Sequence, residues 1–465
     1  MIKVKGENKY KLFLIGYISI LVILSFIRFP DVRNELKYFV ITEEMLKNKN
    51  YMILHYFNEL YPDKPPIYFW ILASIKNIFP KYFYPLSLIV GSLLPCGIVG
   101  LINFKLVKLF WNKKMAYIST MVYITLPYIM GVSLFLRMDF LMTMFISMGI
   151  FLFFSFYYKK IPINRLTLLG FYLSLILGVL VKGGAGIAIP LITILTFLYF
   201  EKNFKFLKEI KFKEGMLIIL IILGIWLYGI FLNPQGEQYI KLLLGRETIG
   251  RMIKAKTHTK AIYYYLEQIL LLMLPITLFF LGGIYNLLKK IRNFKNFTVV
   301  EKIALSWFLP NFIFFSLLSG KLAIYMLPIL LPGVLISLDY IENKFPLNKE
   351  KILKWIIGIN MIVLSIIIFL LPYYNNNYTL KPVINFLKDK KENIVTYKFT
   401  DGKNISCYLK RRELEDISLE QIKKLPNKTY IISRKKYRTD VEKIGYTSIN
   451  LGNYVILLKR NTSMK

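Results

Sequence analysis

The segment IYFWILASIKNIFP, residues 67–80, decides how this chain is organised. It is apolar and opens on aromatic residues, yet it runs for only about fourteen residues and Lys76 interrupts it, whereas a helix needs about twenty apolar residues to cross a bilayer. If it crossed, every later loop would change sides. Read instead as an interfacial or re-entrant segment, it leaves the basic loops together on one face and extends the first outer loop from about residue 30 to 82.

The rest of the chain makes that question matter. Of 465 residues, 55% are hydrophobic and 16% aromatic, more apolar surface than a water-soluble domain can bury. The expected fold class is therefore an α-helical polytopic membrane protein. A formal charge of +35 resembles that of a nucleic-acid binder, but much of it sits in short Lys-rich loops between apolar runs, which argues against a nucleic-acid partner. Cys96 lies in an apolar run and Cys407 in a polar tail, so neither a disulfide nor a Cys-based metal site is expected.

The first apolar run, Leu12 to Phe29, follows a basic start and shows no small-residue cleavage site, so it reads as an uncleaved first helix. Later runs centre on 83–104, 115–134, 140–158, 166–181, 185–200, 216–233, 262–286, 302–318, 322–340 and 352–372, giving about eleven spans. Basic loops at 105–114, 159–165, 201–215, 287–301 and 342–351 belong with the N-terminus on the cytoplasmic side of the membrane. The loops around Arg137, Lys182 and Lys321 fall on the outer side. Residues 1–372 thus form a membrane domain, and 373–465, where short strand-like runs alternate with a helical stretch that Ser418 could cap, form a small extracytoplasmic α/β domain.

Sorting ionisable residues by side collects an unusual set outside: NELKYFVITEEML and the following loop (34–66), LRMDF (136–140), VKGGAG (181–186), the 233–260 loop and SGKLAIY (319–325). Both histidines, His55 and His258, are among them. Charges at a membrane boundary are costly unless paired, solvated or used, so this layout suits an anionic lipid headgroup beside a general base. Each residue also has a plainer role. Asn34 and Glu35 suit a helix start, Asp63-Lys64-Pro65-Pro66 a turn, Arg137 and Asp139 a mutual ion pair, and Arg246 and Arg251 headgroup contacts.

In order and spacing these stretches resemble the bacterial protein O-mannosyltransferase-like group, including aminoarabinose transferases acting on lipid A, which are GT-C membrane glycosyltransferases. The resemblance rests on NELKYFVITEEML, Asp63-Lys64-Pro65-Pro66, Arg137-Met138-Asp139, Leu180-Val181-Lys182-Gly183-Gly184 and Ser319-Gly320-Lys321 through Tyr325 and Pro328, and covers about residues 10–340. It implies a transfer of one sugar from a polyprenyl-phosphate donor to a lipid or protein acceptor at the outer face. Catalytic candidates are Glu35, Asn34, Asp63 and Asp139, with Glu35 as base. Donor-phosphate candidates are Lys64, Arg137, Lys182, Arg246, Arg251, Lys321 and Tyr325. Asn34 stands where the family carries an aspartate, which leaves Glu35 as the base, a shifted role for Asp31, or altered chemistry. No nucleotide cradle is expected, because activation arrives already on the lipid, and Asp63 with His258 could hold a divalent metal ion. A transporter or flippase of lipid-linked sugars and a non-catalytic membrane scaffold are the alternatives.

Overall fold

The computed structural model describes residues 6–249, 259–409, 414–426 and 428–459. Among these, eight helices are long and apolar enough to cross a membrane: Glu7–Ile27, Pro80–Phe110, Asp139–Tyr157, Arg165–Lys182, Phe212–Phe231, Val299–Leu317, Ala323–Lys344 and Lys349–Asn377. A ninth span is the pair Lys113–Thr125 and Pro127–Ser133, bent by 64° where Pro127 withholds a backbone donor. The expected span at 185–200 is the 17-residue helix Ala185–Glu201. The expected single span at 262–286 is instead two helices, Tyr264–Leu272 and Thr277–Lys290, separated at Pro275. A proline cannot donate to the preceding turn, and the Thr277 hydroxyl, donating to the Leu270 carbonyl at 2.6 Å, satisfies one group that the break frees. The chain is thus a multi-pass α-helical membrane protein.

The helix Ile67–Ile78 has 12 residues, a length of about 18 Å against a hydrocarbon core of about 30 Å. It packs on the first-loop helix Glu35–Asn48. Tyr38 meets the rings of Tyr68 and Phe69 edge-on at 5.8 and 5.6 Å, and Lys76 bonds Glu43 at 2.7 Å. Lys76, which breaks the apolar run, thus ties this helix to the loop, as does Trp70, whose indole N–H donates to the Tyr51 carbonyl at 2.7 Å.

Ion pairs sort the helix ends into two groups. Lys113 meets Glu7 at 2.7 Å, Lys114 meets Glu350 at 2.5 Å, Lys302 meets Glu201 at 2.6 Å and Lys349 meets Glu342 at 2.5 Å. All lie at the ends assigned to the basic face. Arg28, Glu35, Arg137, Asp139 and Lys182 meet at the opposite ends. Within the body, buried amides bridge helices: Asn103 to Ser119 at 2.9 Å, Asn311 to Thr193 at 2.9 Å and Asn360 to Thr125 at 3.0 Å.

The last long helix continues to Asn377, five residues past the expected domain edge at 372. Beyond it, a five-stranded sheet runs in the order Asp416–Ile417, Ile394–Tyr397, Tyr430–Arg434, Tyr454–Lys459, Tyr446–Leu451, with the first two pairings parallel and the others antiparallel. Ser418 does cap the helix Leu419–Lys423, within a capping box with Gln421. The sheet docks on the first loop: Asn404 donates to the Val32 carbonyl at 2.9 Å and accepts from Tyr56 at 2.9 Å. The turn before its fourth strand is seated on the membrane body. There Gly452 has φ 68°, and a Cβ would lie 2.4 Å from the Asn376 carbonyl, so only glycine fits.

Candidate functional site

The first transmembrane helix ends at Arg28, and three residues later Asp31 begins the turn into the helix Glu35–Asn48. That turn is held by carboxylates rather than by Asn34. Asp31 Oδ2 accepts the Asn34 N–H at 2.8 Å and the Arg33 N–H at 3.2 Å, while Asn34 makes no side-chain capping bond. The expected Asn34 cap is therefore replaced by Asp31, an Asx-type turn three residues earlier.

Glu35 is placed differently from expectation. Named above as the base, it has a carboxylate that is only 1% exposed, and each oxygen already accepts two hydrogen bonds. Arg28 grips it bidentately at 2.9 and 2.7 Å, and the N–H groups of Asp31 and Leu136 reach it at 2.5 and 2.6 Å. Arg28 also donates to the Tyr84 hydroxyl and lies 3.9 Å from the centre of the Phe135 ring. Glu35 thereby pins the 134–138 loop against the first loop.

That loop carries Arg137 and leads into Asp139, the first residue of its helix. Ser92, in a π-helical stretch of the preceding span, donates to the carbonyls of Phe135 and Arg137 at 2.6 and 3.0 Å and accepts the Arg137 N–H at 3.0 Å. Asp139 is 1% exposed and sits between two cations: Arg137 Nε at 3.1 Å, and the Lys182 ammonium. Lys182 closes its own helix, where Gly183 at φ 92° lets the chain turn into the next, and its ammonium lies 5.0 Å from the centre of the Tyr325 ring. Burial holds the Tyr38 phenol well above its usual range. Arg137 opposes this, and the carboxylates of Asp139, Asp63 and Glu35 add to it, so all five belong to one electrostatic neighbourhood.

A cavity of about 330 Å3 opens at this place. Asp31, Asn34, Glu35, Tyr128 and Arg137 supply its polar lining, and Val132, Phe135 and Ile324 its apolar lining. Among the described residues no hydrogen bond reaches Asp31 Oδ1, so its half-buried carboxylate keeps one oxygen for a ligand.

Other candidates are not among the residues that line this cavity. Lys321 is 3% exposed, but its ammonium donates to the backbone carbonyls of Leu318 and, at 3.2 Å, of Lys260, so it ties two segments together. Asp63 and Lys64 are half-buried in the loop before Pro65, outside the cavity lining. His55 bonds Gln235 at 2.9 Å and joins two outer loops. Arg246 lies in the helical stretch Leu242–Ile249 with its side chain outside the described part, and Arg251 and His258 lie outside the described residues. No group of three His, Cys, Asp or Glu side chains among the described residues could hold a metal ion. Sequence reasoning missed Arg28, Tyr84, Ser92 and Tyr128. The one available signal was an arginine at the end of an apolar helix.

A membrane body of this architecture, crowned by an ion-paired cavity and a small sheet domain, has the GT-C fold. Within that fold the chain resembles the protein mannosyltransferase-like and aminoarabinose transferase-like family. Residues 63–228 match the family model of dolichyl-phosphate-mannose-protein mannosyltransferase. The undecaprenyl phosphate-alpha-4-amino-4-deoxy-L-arabinose arabinosyl transferase 1 of Proteus mirabilis is 25% identical over 370 residues, covering 76% of this chain and 64% of the relative. The corresponding Serratia proteamaculans transferase is 23% identical over 70% of this chain and 57% of the relative. The match thus spans less than two thirds of these relatives' length. The crystal structure of ArnT from Cupriavidus metallidurans bound to undecaprenyl phosphate superposes with a TM-score of 0.73 at 14% identity, covering 98% of this chain and 99% of that one.

Proposed function

We propose that this protein is a membrane glycosyltransferase that moves one sugar from a polyprenyl-phosphate donor to an envelope glycolipid or protein acceptor, at the outer face of a bacterial inner membrane. The observation that carries the reading is the cavity where Arg137, Asp31 and Tyr128 face apolar Val132, Phe135 and Ile324 at one end of the transmembrane helices. An anionic headgroup on a lipid chain needs that combination. The similarity to arabinosyl transferases supports the same reading. The cavity end is assigned to the outside, because the opposite end carries the basic loops, and this leaves the N-terminus cytoplasmic and the sheet domain extracytoplasmic.

In this reading Arg137, braced by Asp139 with Lys182, faces the donor phosphate, where charge grows as the sugar leaves. The acceptor hydroxyl oxygen attacks the anomeric carbon, the bond from that carbon to the phosphate oxygen breaks, and the phosphate departs with the electron pair. The hydroxyl proton passes to a carboxylate. Asp31 suits that role better than Glu35, because a base needs a lone pair within reach of the hydroxyl and Glu35 has both oxygens occupied. Glu35 is a positioning residue that sets the loop bearing Arg137.

Reconstitution tests the reading. Purified protein in liposomes, given a radiolabelled undecaprenyl-phosphate sugar and envelope extract, should release undecaprenyl phosphate and move label to an acceptor in equal amounts. Transfer of the intact donor across the bilayer without cleavage would instead make the protein a flippase.

A further inference from the structure

The link from the first transmembrane helix to Asp31 is short. The helix ends at Ile27, Arg28 turns the chain into an extended conformation (φ −69°, ψ 136°), and Pro30 stands directly before Asp31. A helix that stops this way leaves backbone groups without partners, which is costly at a buried position. Asn375, 3% exposed near the end of the last transmembrane helix, supplies the partners. Its amide donates to the Ile27 carbonyl at 3.0 Å, and its Oδ1 accepts the Phe29 N–H at 2.8 Å. One side-chain amide thus takes the place of a peptide group and fixes where the chain leaves the helix. On the other side of Asp31, the fully buried Asn404 donates to the Val32 carbonyl at 2.9 Å. From this arrangement we infer that Asn375 and Asn404 are positioning residues, which clasp the chain on both sides of Asp31 and hold its carboxylate at the cavity for proton transfer. The inference rests on the transfer reading above, with Asp31 as base, and gives the C-terminal part of the chain a role in the reaction.

Each asparagine is itself held. Asn404 Oδ1 accepts from the Tyr56 hydroxyl at 2.9 Å. The helix end bearing Asn375 meets the sheet: the Asn377 carbonyl accepts the Asn453 N–H at 3.1 Å, and the Tyr378 carbonyl accepts from the Tyr454 hydroxyl at 3.3 Å. A further link between turn and sheet is weaker. Arg33 and Arg434 share the Asp401 carboxylate at 3.3 and 3.6 Å, but the Arg33 side chain is 65% exposed, and water screens such pairs. The buried amides therefore dominate. Glu35 holds the Asp31 N–H itself, so the asparagines set the chain entering and leaving that point. Such placement matters because a displacement of about 1 Å can cost on the order of a hundredfold in rate. Arg137, which faces the donor phosphate, is held through Ser92 and Asp139, apart from both asparagines.

The test reads turnover per mole of folded full-length protein in liposomes, as undecaprenyl phosphate released from a radiolabelled undecaprenyl-phosphate sugar with envelope extract. Asn375→Ala and Asn404→Ala should each lower kcat at least about tenfold, while the donor KM stays within about threefold. Asn375→Gln and Asn404→Gln, which keep the amide, should regain part of the loss. A double-mutant cycle separates positioning from general damage to the fold. In an Asp31→Asn background, where no base remains to be positioned, either alanine substitution should change the residual turnover by less than about twofold. A loss in that background as large as in the wild type overturns the inference. So does wild-type kcat in the folded alanine variants. If an alanine variant does not fold, Asn375→Ser or Asn404→Ser carries the same comparison with the same two outcomes. Absence of transfer by the wild type would instead sink the transfer reading, and near-normal turnover of Asp31→Asn alone would remove Asp31 as the base. Either result takes the inference with it.

Discussion

Arg28 and Glu35 form a buried bidentate pair, at 2.9 and 2.7 Å, and the same carboxylate receives the N–H of Leu136 from a loop 101 residues away. Breaking such a pair leaves an uncompensated charge in a low-dielectric site, which costs about 3–5 kcal/mol. Glu35→Gln should therefore lower the thermal unfolding midpoint markedly, and Arg28→Met with Glu35→Leu should recover much of the loss. A Glu35→Gln protein as stable as wild type would remove Glu35 from its positioning role.

Arg137 and Lys182 share Asp139, so either cation can be removed without leaving that carboxylate alone. Arg137→Gln should weaken undecaprenyl-phosphate binding by at least about tenfold, on the order of 1.4 kcal/mol, with little change in stability. Lys321→Met should act differently. Its ammonium is spent on the carbonyls of Leu318 and Lys260, so the substitution should reduce stability more than donor affinity. Direct binding titrations and thermal scans on the two variants check both statements.

The seat of the C-terminal sheet is tested at Gly452, where a side chain would strike the Asn376 carbonyl and φ is 68°. Gly452→Val should loosen the sheet from the membrane body and expose the connection after Asn377 to protease. Limited proteolysis that cuts wild type and variant equally fast would mean that the turn tolerates a side chain.

Sidedness can be read with a membrane-impermeant maleimide on exposed positions. With Cys407 replaced by Ser, Lys49→Cys should label in intact cells and Lys160→Cys only after the membrane is opened. The reverse pattern would turn the cavity end toward the cytoplasm.

Much of the scaffold was legible because its signals are local. Run length located the spans and exposed Ile67–Ile78 as too short, and loop charge grouped the same helix ends that Lys113–Glu7 and Lys182–Asp139 hold together. The break at Pro275 was missed because the flanking apolar residues continue through it. The roles within the site were not legible for a different reason. What distinguishes Glu35 from Asp31 is which oxygens are already occupied, and that depends on Arg28, Leu136 and a turn geometry that no spacing rule encodes. Likewise nothing in the tail sequence points to Arg434 facing Arg33, because that meeting depends on how the sheet is seated.

The most direct test of the account compares Asp31→Asn with Glu35→Gln, as sugar transfer per mole of folded protein under identical conditions. Asparagine keeps the size and the turn-holding oxygen of Asp31 but cannot take up the proton. Asp31→Asn should therefore lose about two to four orders of magnitude in turnover while retaining undecaprenyl-phosphate binding. Glu35→Gln should lose chiefly folded protein, with the folded fraction keeping much of its turnover. Near-normal transfer by Asp31→Asn, together with abolished transfer by stably folded Glu35→Gln, would contradict the assignment of the base.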